Sequence, residues 1–170
     1  MNRKEMKTSS AGGFSLMEML VVLAIIAILL TAAVPSLVAP IAREQVDESL
    51  HLVEQIRGRV SDFYAAQGKL PDSNEEAGLP PGNKLIGNYV SSIELVRGAF
   101  HIHFGNKASA VLQDKVLTVR AIIVPDYPAT PLSWLCGYSQ VPRSMQGADQ
   151  DFTTVSAQYL PVKCRDTSKK

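Results

Sequence analysis

The sequence predicts an α+β fold in which one long N-terminal α-helix packs on a four-stranded antiparallel sheet. The first observation is an apolar run over residues 14–34 that holds a single charged side chain, Glu18. The second is an amphipathic stripe at helical spacing from Val46 to Phe63. The third is a set of short β-type runs over residues 89–138, the first two joined by a tight turn.

The composition limits the functions that bulk charge could support. Lys and Arg number 17 and Asp and Glu number 16, so the formal net charge is +1. This balance gives no overall electrostatic attraction to nucleic acid. Apolar residues make up 46% of the chain and charged residues 19%, which is typical of a globular protein with a membrane segment.

Residues 14–41 are predicted to form a membrane-spanning half of the helix. At about 1.5 Å of rise per residue, the part from Phe14 to Val34 spans roughly 30 Å, the thickness of a bilayer's hydrocarbon core. The leader before it, residues 1–13, is rich in basic residues and has no apolar run. Because Lys and Arg beside a span stay in the cytoplasm, residues 42–170 are expected outside it, as a periplasmic or extracellular head.

The leader ends in Gly12-Gly13, immediately before the apolar run. An ordinary secretory signal has the opposite order, with its small residues after the apolar region. Cleavage after Gly13 would therefore remove the basic leader, keep the apolar helix and make Phe14 the new N-terminus.

The helix is predicted to continue through residues 42–67 as an amphipathic half. Its apolar stripe consists of Val46, Leu50, Val53, Ile56, Val60 and Phe63. An interior proline costs a helix about 3 kcal/mol. Pro35 and Pro40 therefore leave two interpretations open: one continuous helix with a gentle bend near Pro35, or a membrane helix followed by a separate soluble one. Gly68 and Pro71 are expected to end the helix.

Residues 68–88 hold three prolines and four glycines, so they are predicted to form a long surface connection. The sheet follows over residues 89–138. Its strands are predicted at 89–96, 99–104, 116–124 and around 132–138. Alternation along the last strand places Trp134 and Cys136 on one face.

The chain has two cysteines, Cys136 and Cys164, and neither has the spacing or flanking histidine of a zinc or redox site. A head outside the cytoplasm would lie in an oxidising compartment, where a disulfide is the expected state. A bridge bounding residues 136–164 would stabilise the fold by roughly 3 to 4 kcal/mol in the chain-entropy model. The alternative is a pair of buried free thiols.

The segment from Gly13 to Glu18, GFSLME, resembles the class III prepilin signal of type IV pilins. In that signal a glycine precedes Phe, here Phe14, and a glutamate lies at the fifth mature position. Pro35 falls where these proteins carry a helix proline.

The segments around the two cysteines are also similar to the disulfide-bounded loop of type IVa pilins. They are WLCG at residues 134–137 and LPVKCR at residues 160–165. The chain departs from the family at Leu37 and Pro40, where many members have tyrosines. The resemblance covers most of the chain and implies the pilin fold.

The resemblance implies a single-pass precursor in the inner membrane, cut after Gly13 by a prepilin peptidase that also N-methylates Phe14. It further implies that copies of the chain polymerise into a helical surface filament, with the help of inner-membrane pilus assembly machinery. Such filaments serve adhesion, twitching motility and, in some bacteria, DNA uptake, so DNA or a host surface is a further partner to consider. Neither enzyme activity nor a cofactor is expected.

Glu18 is expected to act in assembly. An ionised carboxylate inside a bilayer costs at least about 2.5 to 3.5 kcal/mol on insertion scales, so it normally has a partner or a neutral form. The amine created at Phe14 of an adjacent subunit is a suitable counter-charge in a staggered bundle. The alternative is a carboxylate close enough to the interface to reach water.

Other candidate sites have weaker support in the sequence. His101 and His103 share a face of a predicted strand, but without a third ligand two solvent-facing histidines are the preferred interpretation over a metal site. No hydrolase motif such as GxSxG is present. Arg143, Lys163 and Arg165 form a candidate nucleic-acid contact, against the ordinary alternative of a solvated charged surface.

Two other functions are compatible with these patterns. A minor pilin or a type II secretion pseudopilin shares residues 13–35 with major pilins but caps or primes a filament. A DNA- or receptor-binding module displayed on a pilus would use the same scaffold with a different head surface.

Overall fold

The computed structural model describes residues 13–127 and 129–166, with no side-chain description for residues 32–37. The leader apart from Gly13 therefore lies outside the described residues. By internal contacts the chain divides into two units, Met1–Leu37 and Val38–Lys170.

One long α-helix, α1, is formed by Leu16–Gln67 and includes both Pro35 and Pro40. It ends at Gln67, and the next residue, Gly68, has a φ of +68°. This left-handed conformation is typical of a glycine that ends a helix. The bend expected near Pro35 falls among residues whose side chains are not described and stays a prediction. No helix in the described part of the chain combines the length and the hydropathy needed to cross a bilayer.

The antiparallel sheet contains the four predicted strands. They are β1 (Val90–Val96), β2 (Ala99–Phe104), β3 (Val116–Ile123) and β4 (Ser133–Cys136), in the spatial order β1-β2-β3-β4. The sequence did not predict β5 (Gln146–Gly147), a two-residue strand that pairs with the end of β3. Ile122 pairs with Ser133 of β4 on one side and with Gly147 of β5 on the other.

The hairpin between β1 and β2 depends on its two-residue turn. Arg97 and Gly98 both have positive φ angles, +46° and +78°. This is the backbone that tight hairpins with the right-handed strand twist require. Gly98 also lies against Leu70, since a Cβ on the glycine would be 2.7 Å from the Leu70 Cδ1 atom.

The sheet has an inner face that packs on α1 and an outer face that does not. Register places Leu95, Phe100 and Val119 side by side on the inner face. On the outer face Glu94 pairs with His101, and His101 pairs with Thr118. The alternation along each strand therefore separates an apolar face from a polar one.

The core lies between the amphipathic half of α1 and the inner face, entirely within the unit Val38–Lys170. Its largest fully buried side chains include Val46, Val53, Val60, Ile93, Phe100, Ile102 and Leu117. The predicted stripe is shifted at its end: Tyr64 is buried, whereas Phe63 is half-buried. Tyr64 lies four residues after Val60, and the helical period keeps it over the sheet.

The connection 68–88 is bound closely to the sheet. The Asn74 side chain accepts a hydrogen bond from the Leu95 amide at 2.7 Å and donates to the carbonyls of Pro80 and Ile93. Ser73 also forms an isolated antiparallel bridge with Val96. The connection thus covers part of the edge of β1, which would otherwise offer unpaired backbone groups.

Two glycine-to-alanine changes should have opposite effects on stability. Gly98→Ala should lower the free energy of unfolding by about 1 to 3 kcal/mol, because alanine is strained at positive φ and Leu70 would have to move. Gly58→Ala, the matched control, should raise it by about 0.5 to 1 kcal/mol, since alanine favours a helix over glycine and nothing lies within 4 Å of the new Cβ.

Urea unfolding of the chain in detergent measures both, with Trp134 as the probe. Trp134 is the single tryptophan and its ring stacks on Phe100, with 5.7 Å between ring centroids. Equal effects of the two changes would contradict the assigned turn.

Candidate assembly site and disulfide-bounded surface

The N-terminal junction is exposed and starts the helix. Gly13, Phe14 and Ser15 precede α1, and Phe14 is 78% exposed. The Met19 amide donates a hydrogen bond to the Ser15 carbonyl at 3.1 Å. The junction is therefore an accessible non-helical segment directly before the first helical turn.

Glu18 lies in the first turn of α1 and is exposed. A carboxylate in this position is stabilised by the unpaired amides and the positive dipole end of the helix. No described side chain pairs with it. Glu18 therefore lies in the helical turn that follows the Gly13-Phe14 junction. Its pairing with the amine of a processed Phe14 in another copy of the chain stays a prediction.

The described large apolar residues from Met19 to Leu30 are exposed around the whole helix. From Met19 to Leu30 the large apolar side chains are between 44% and 68% exposed. They include five consecutive positions, residues 19–23, which cover more than one helical turn. A helix that is apolar on all sides needs an apolar environment on all sides. Pro35 directly follows the apolar run, and its side chain is not described.

The disulfide between Cys136 and Cys164 is confirmed. Cys136 ends β4, and Cys164 ends a short 3-10 helix, Val162–Cys164. Both cysteines are buried in the core. The predicted pairing therefore joins the edge strand of the sheet to the C-terminal segment, and Trp134 and Cys136 face the core together as alternation predicted.

Gly137 permits the close approach of the two segments that the disulfide joins. Its φ is +52°, and a Cβ would lie 2.7 Å from the Cys164 carbonyl oxygen. The next residue, Tyr138, donates its amide to that same oxygen at 3.0 Å. The Ser139 hydroxyl also donates to the Lys163 carbonyl.

A segment that we call the strap, residues 148–155, crosses the outer face of the sheet. At its start the Ala148 amide donates to the Ala121 carbonyl at 2.8 Å, and near its end the Thr154 amide donates to the Val116 carbonyl at 2.9 Å. The Tyr138 hydroxyl donates to two strap carbonyls. Burial, together with the nearby Asp151 carboxylate, raises the pKa of Tyr138, so the donor remains protonated.

The structure corrects the interpretation of His101 as solvent-facing. Its side chain is buried under the strap, with the edge of its ring against Phe152 at 5.1 Å between centroids. His103, on the same face, is half-buried. The expectation failed because the strap comes from a region of the chain that has no strand or helix pattern. In the described part of the chain no three His, Cys, Asp or Glu side chains are grouped as a metal would require.

The outer face also contains a charged cluster that the sequence did not predict. Arg97 donates two hydrogen bonds to Asp149 in the strap, one from Nε at 3.2 Å. His101 Nε2 lies 3.6 Å from the other Asp149 oxygen. These residues are some 50 positions apart with no local motif, so no sequence pattern could have joined them.

The Asp149 carboxylate is ionised in this cluster. Burial alone would raise its pKa, but the hydrogen bond and charge of Arg97 hold the pKa below its ordinary value. Asp149, His101 and Thr118 form an acid, imidazole and hydroxyl series, yet Thr118 is fully buried and no substrate could reach it. The series is therefore a structural network.

The three basic candidates for nucleic-acid contact have different environments. Arg143 is exposed in a turn. Lys163 lines a cleft of about 170 Å³ beside Glu54 and Arg57 of α1. Arg165 is half-buried and donates to the Leu160 carbonyl at 2.8 Å. None of the described contacts joins the three, and their role in binding nucleic acid stays a prediction.

Comparisons with known proteins agree with this architecture. Residues 42–165 match the family model for pilin, a bacterial filament protein, and residues 8–34 match the model for the prokaryotic N-terminal methylation motif. A fimbrial protein of Neisseria meningitidis serogroup B is 28% identical over 164 residues, covering 92% of this chain and 95% of that protein.

Two further relatives are similar to the chain. The type IV major pilin protein PilE1 of Neisseria gonorrhoeae is 29% identical over 162 residues, covering 92% of this chain and 88% of that protein. The type IV major fimbrial protein FimA of Dichelobacter nodosus is 36% identical over 78 residues, covering 45% of this chain and 48% of that protein.

Removal of the disulfide should destabilise the head strongly. The double change Cys136→Ala and Cys164→Ala should lower the free energy of unfolding by roughly 3 to 4 kcal/mol, because the unfolded chain regains the entropy of an open loop. Urea unfolding followed by Trp134 fluorescence measures the loss. Reductant should lower the stability of the unchanged chain to a similar extent and leave the double variant unaffected. A chain insensitive to reductant would contradict the bridge.

Proposed function

The chain belongs to the pilin family of bacterial filament proteins, and we propose that it is a structural subunit of a type IV pilus. The observation that supports this most directly is the helix surface from Met19 to Leu30, which is apolar and exposed on every side. The head has its own complete core and does not need that surface. The apolar half of the helix is therefore available for contacts with other molecules.

The same surface suits two environments in succession. Before assembly it would lie in the inner membrane, where its aliphatic side chains are surrounded by lipid. After assembly it would pack against the helices of other copies. Small residues such as Ala24 and Ala27 allow helices in an apolar medium to approach closely. Filament formation then exchanges lipid contacts for protein contacts without exposing apolar surface to water.

Processing would occur between Gly13 and Phe14. Both residues are exposed and precede the helix, so a peptidase could bind them in extended form. The match of residues 8–34 to the methylation motif supports N-methylation of the new terminus at Phe14. Prepilin peptidase and inner-membrane pilus assembly machinery are the proposed partners.

Glu18 would pair with the amine of Phe14 in a neighbouring copy. The carboxylate is a single charge in an apolar surface, and a paired charge avoids the cost of burial in a bundle. Because only one position along a neighbouring helix offers an amine, this pair also sets the axial stagger between subunits. Pro35 is the proposed place where the helix adapts when it moves from membrane to filament.

Adhesion and twitching motility are the proposed uses of the filament, with DNA uptake as a further use. The names of the relatives support a fimbrial role: they are called fimbrial proteins and type IV major pilins. A head held by a disulfide suits exposure outside the cell. The exposed surfaces of the head would meet the substratum or host.

Mass spectrometry of filaments sheared from cells tests the assignment. We expect the main species to be a chain that starts at Phe14 and carries one methyl group on its N-terminus. Its abundance would identify the chain as the major subunit, whereas a trace amount in filaments of another pilin would identify a minor one. Filaments without this chain would contradict the proposal.

Replacing Glu18 by an apolar residue should block assembly without blocking insertion. Glu18→Val should still be processed and reach the membrane, but the yield of sheared filaments should fall at least about tenfold, which corresponds to 1.4 kcal/mol. Glu44→Val is the matched control, since Glu44 is an exposed acid of the same helix outside the apolar run. Normal yield from Glu18→Val, or equal loss from both variants, would contradict the pairing.

A further inference from the structure

Two buried polar atoms at the contact between the strap and the sheet face each other without hydrogen-bond partners. They are His101 Nε2 and Asp149 Oδ2, which lie 3.6 Å apart. The His101 side chain is 7% exposed and that of Asp149 is 3% exposed. Buried polar atoms are usually satisfied, and exceptions often have a structural or functional reason.

The hydrogen bonds around His101 determine its protonation. Thr118 Oγ1 accepts a hydrogen bond from the Phe152 amide and lies 3.1 Å from His101 Nδ1. If Nε2 lacked a proton, its lone pair would face the Asp149 carboxylate and repel it. The ring proton therefore lies on Nε2, and the Thr118 hydroxyl donates to Nδ1. A neutral His101 completes a chain of contacts from Asp149 to the Phe152 backbone.

A second proton on His101 would disrupt this chain. Nδ1 would become a donor, so the Thr118 hydroxyl could no longer donate its hydrogen to it. That hydrogen would have to turn away from the ring. The imidazolium would also lie in a site with little access to water. The strap supplies both the Phe152 amide and the cover over the ring, so lifting the strap is the simplest way to hydrate the charge.

The charges that face His101 come from several elements. β1 contributes Glu94, the cross-strand neighbour, and β2 itself contributes His103. The β1–β2 turn contributes Arg97, and the strap contributes Asp149. β3 contributes the uncharged Thr118; Arg120, further along β3 on the same face, donates to the Gly137 and Ser139 carbonyls.

The effect of burial on the pKa of His101 outweighs the opposite effect of the nearby carboxylates. Burial lowers the pKa of His101 below its ordinary value, although Asp149 and Glu94 act in the opposite direction. As the pH falls below about 6.5, an unfolded or uncovered His101 takes up a proton before the covered one does. The covered state binds fewer protons in this range, so its stability falls as the pH falls. The interaction of the ionised Asp149 with Arg97 persists to lower pH, because the pKa of Asp149 is also lowered.

We propose that the strap, residues 148–155, is a pH-sensitive cover of the outer sheet face, held closed by a neutral His101 and loosened when that histidine is protonated. Loosening would expose Thr118 and Arg120 and would give the head a different outer surface in a mildly acidic medium. The disulfide would keep the C-terminal segment attached while the strap opens, since Cys164 lies beyond it.

Hydrogen exchange of the full chain in detergent, read by mass spectrometry, tests the proposal. Exchange in peptides covering the strap, corrected for intrinsic rates, should be faster at about pH 5 than at about pH 7. The increase should be up to about tenfold for each unit by which the His101 pKa lies below its ordinary value. Peptides from β2 should change less. Equal strap protection at both pH values would overturn the proposal.

Matched histidine variants identify the responsible group. The chain has three histidines, and His51→Gln and His103→Gln should keep the pH response of the strap. His101→Gln should remove it, because glutamine does not titrate. A pH response that persists in His101→Gln would overturn the proposal.

An NMR titration of the unchanged chain gives a second measurement, independent of any loss of stability in the variants. The pKa of the His101 ring should lie below the ordinary value for histidine. An ordinary or raised pKa for His101 would also overturn the proposal.

Discussion

An apolar surface that runs all the way around a helix has to be covered by molecules other than the chain itself. In the first unit this surface extends from Met19 to Leu30, and the head has no need of it. The hydrophobic effect makes exposure of so much apolar area to water unfavourable. The proposed membrane insertion and polymerisation are two ways to satisfy this constraint, and Glu18 is the single charged side chain in the apolar run.

The head satisfies the opposite constraint, since it must be stable by itself in water. The apolar stripe of α1 covers the inner sheet face, and the disulfide fixes the edge strand to the C-terminal segment. The remaining edges and faces are covered by irregular chain: Asn74 binds along β1, and the strap lies over the outer face. Much of the head is therefore held together by side chain to backbone hydrogen bonds.

Periodic patterns made the regular elements predictable. The spacing of Val46, Val53 and Val60 gave the helix face, and alternation gave the four main strands and the common orientation of Trp134 and Cys136. The disulfide was predicted from the oxidising compartment expected for the head and from the family resemblance. These features depend on local spacing or on general chemistry, which a single sequence contains.

The contacts of irregular segments were not predictable in this way. His101 has the same alternation as His103, and only the position of the strap decides that one is buried and the other half-buried. Arg97 and Asp149, which pair with each other, are likewise distant in sequence. At the N-terminal site the residue types predict roles for Gly13, Phe14 and Glu18, and the partner proposed for Glu18 belongs to another molecule, which no property of one chain can position.

The position of Cys164 also affects the order of events during biogenesis. β3 pairs on both sides, and its hydrogen-bond partners include Thr153 and Thr154. If the head is exported as proposed, these residues and Cys164 would reach the oxidising compartment after all four main strands. The head could then form its disulfide only when translocation has passed residue 164. Until then an anchored N-terminal helix would hold an unfinished domain at the membrane, which would keep incomplete subunits out of the growing polymer.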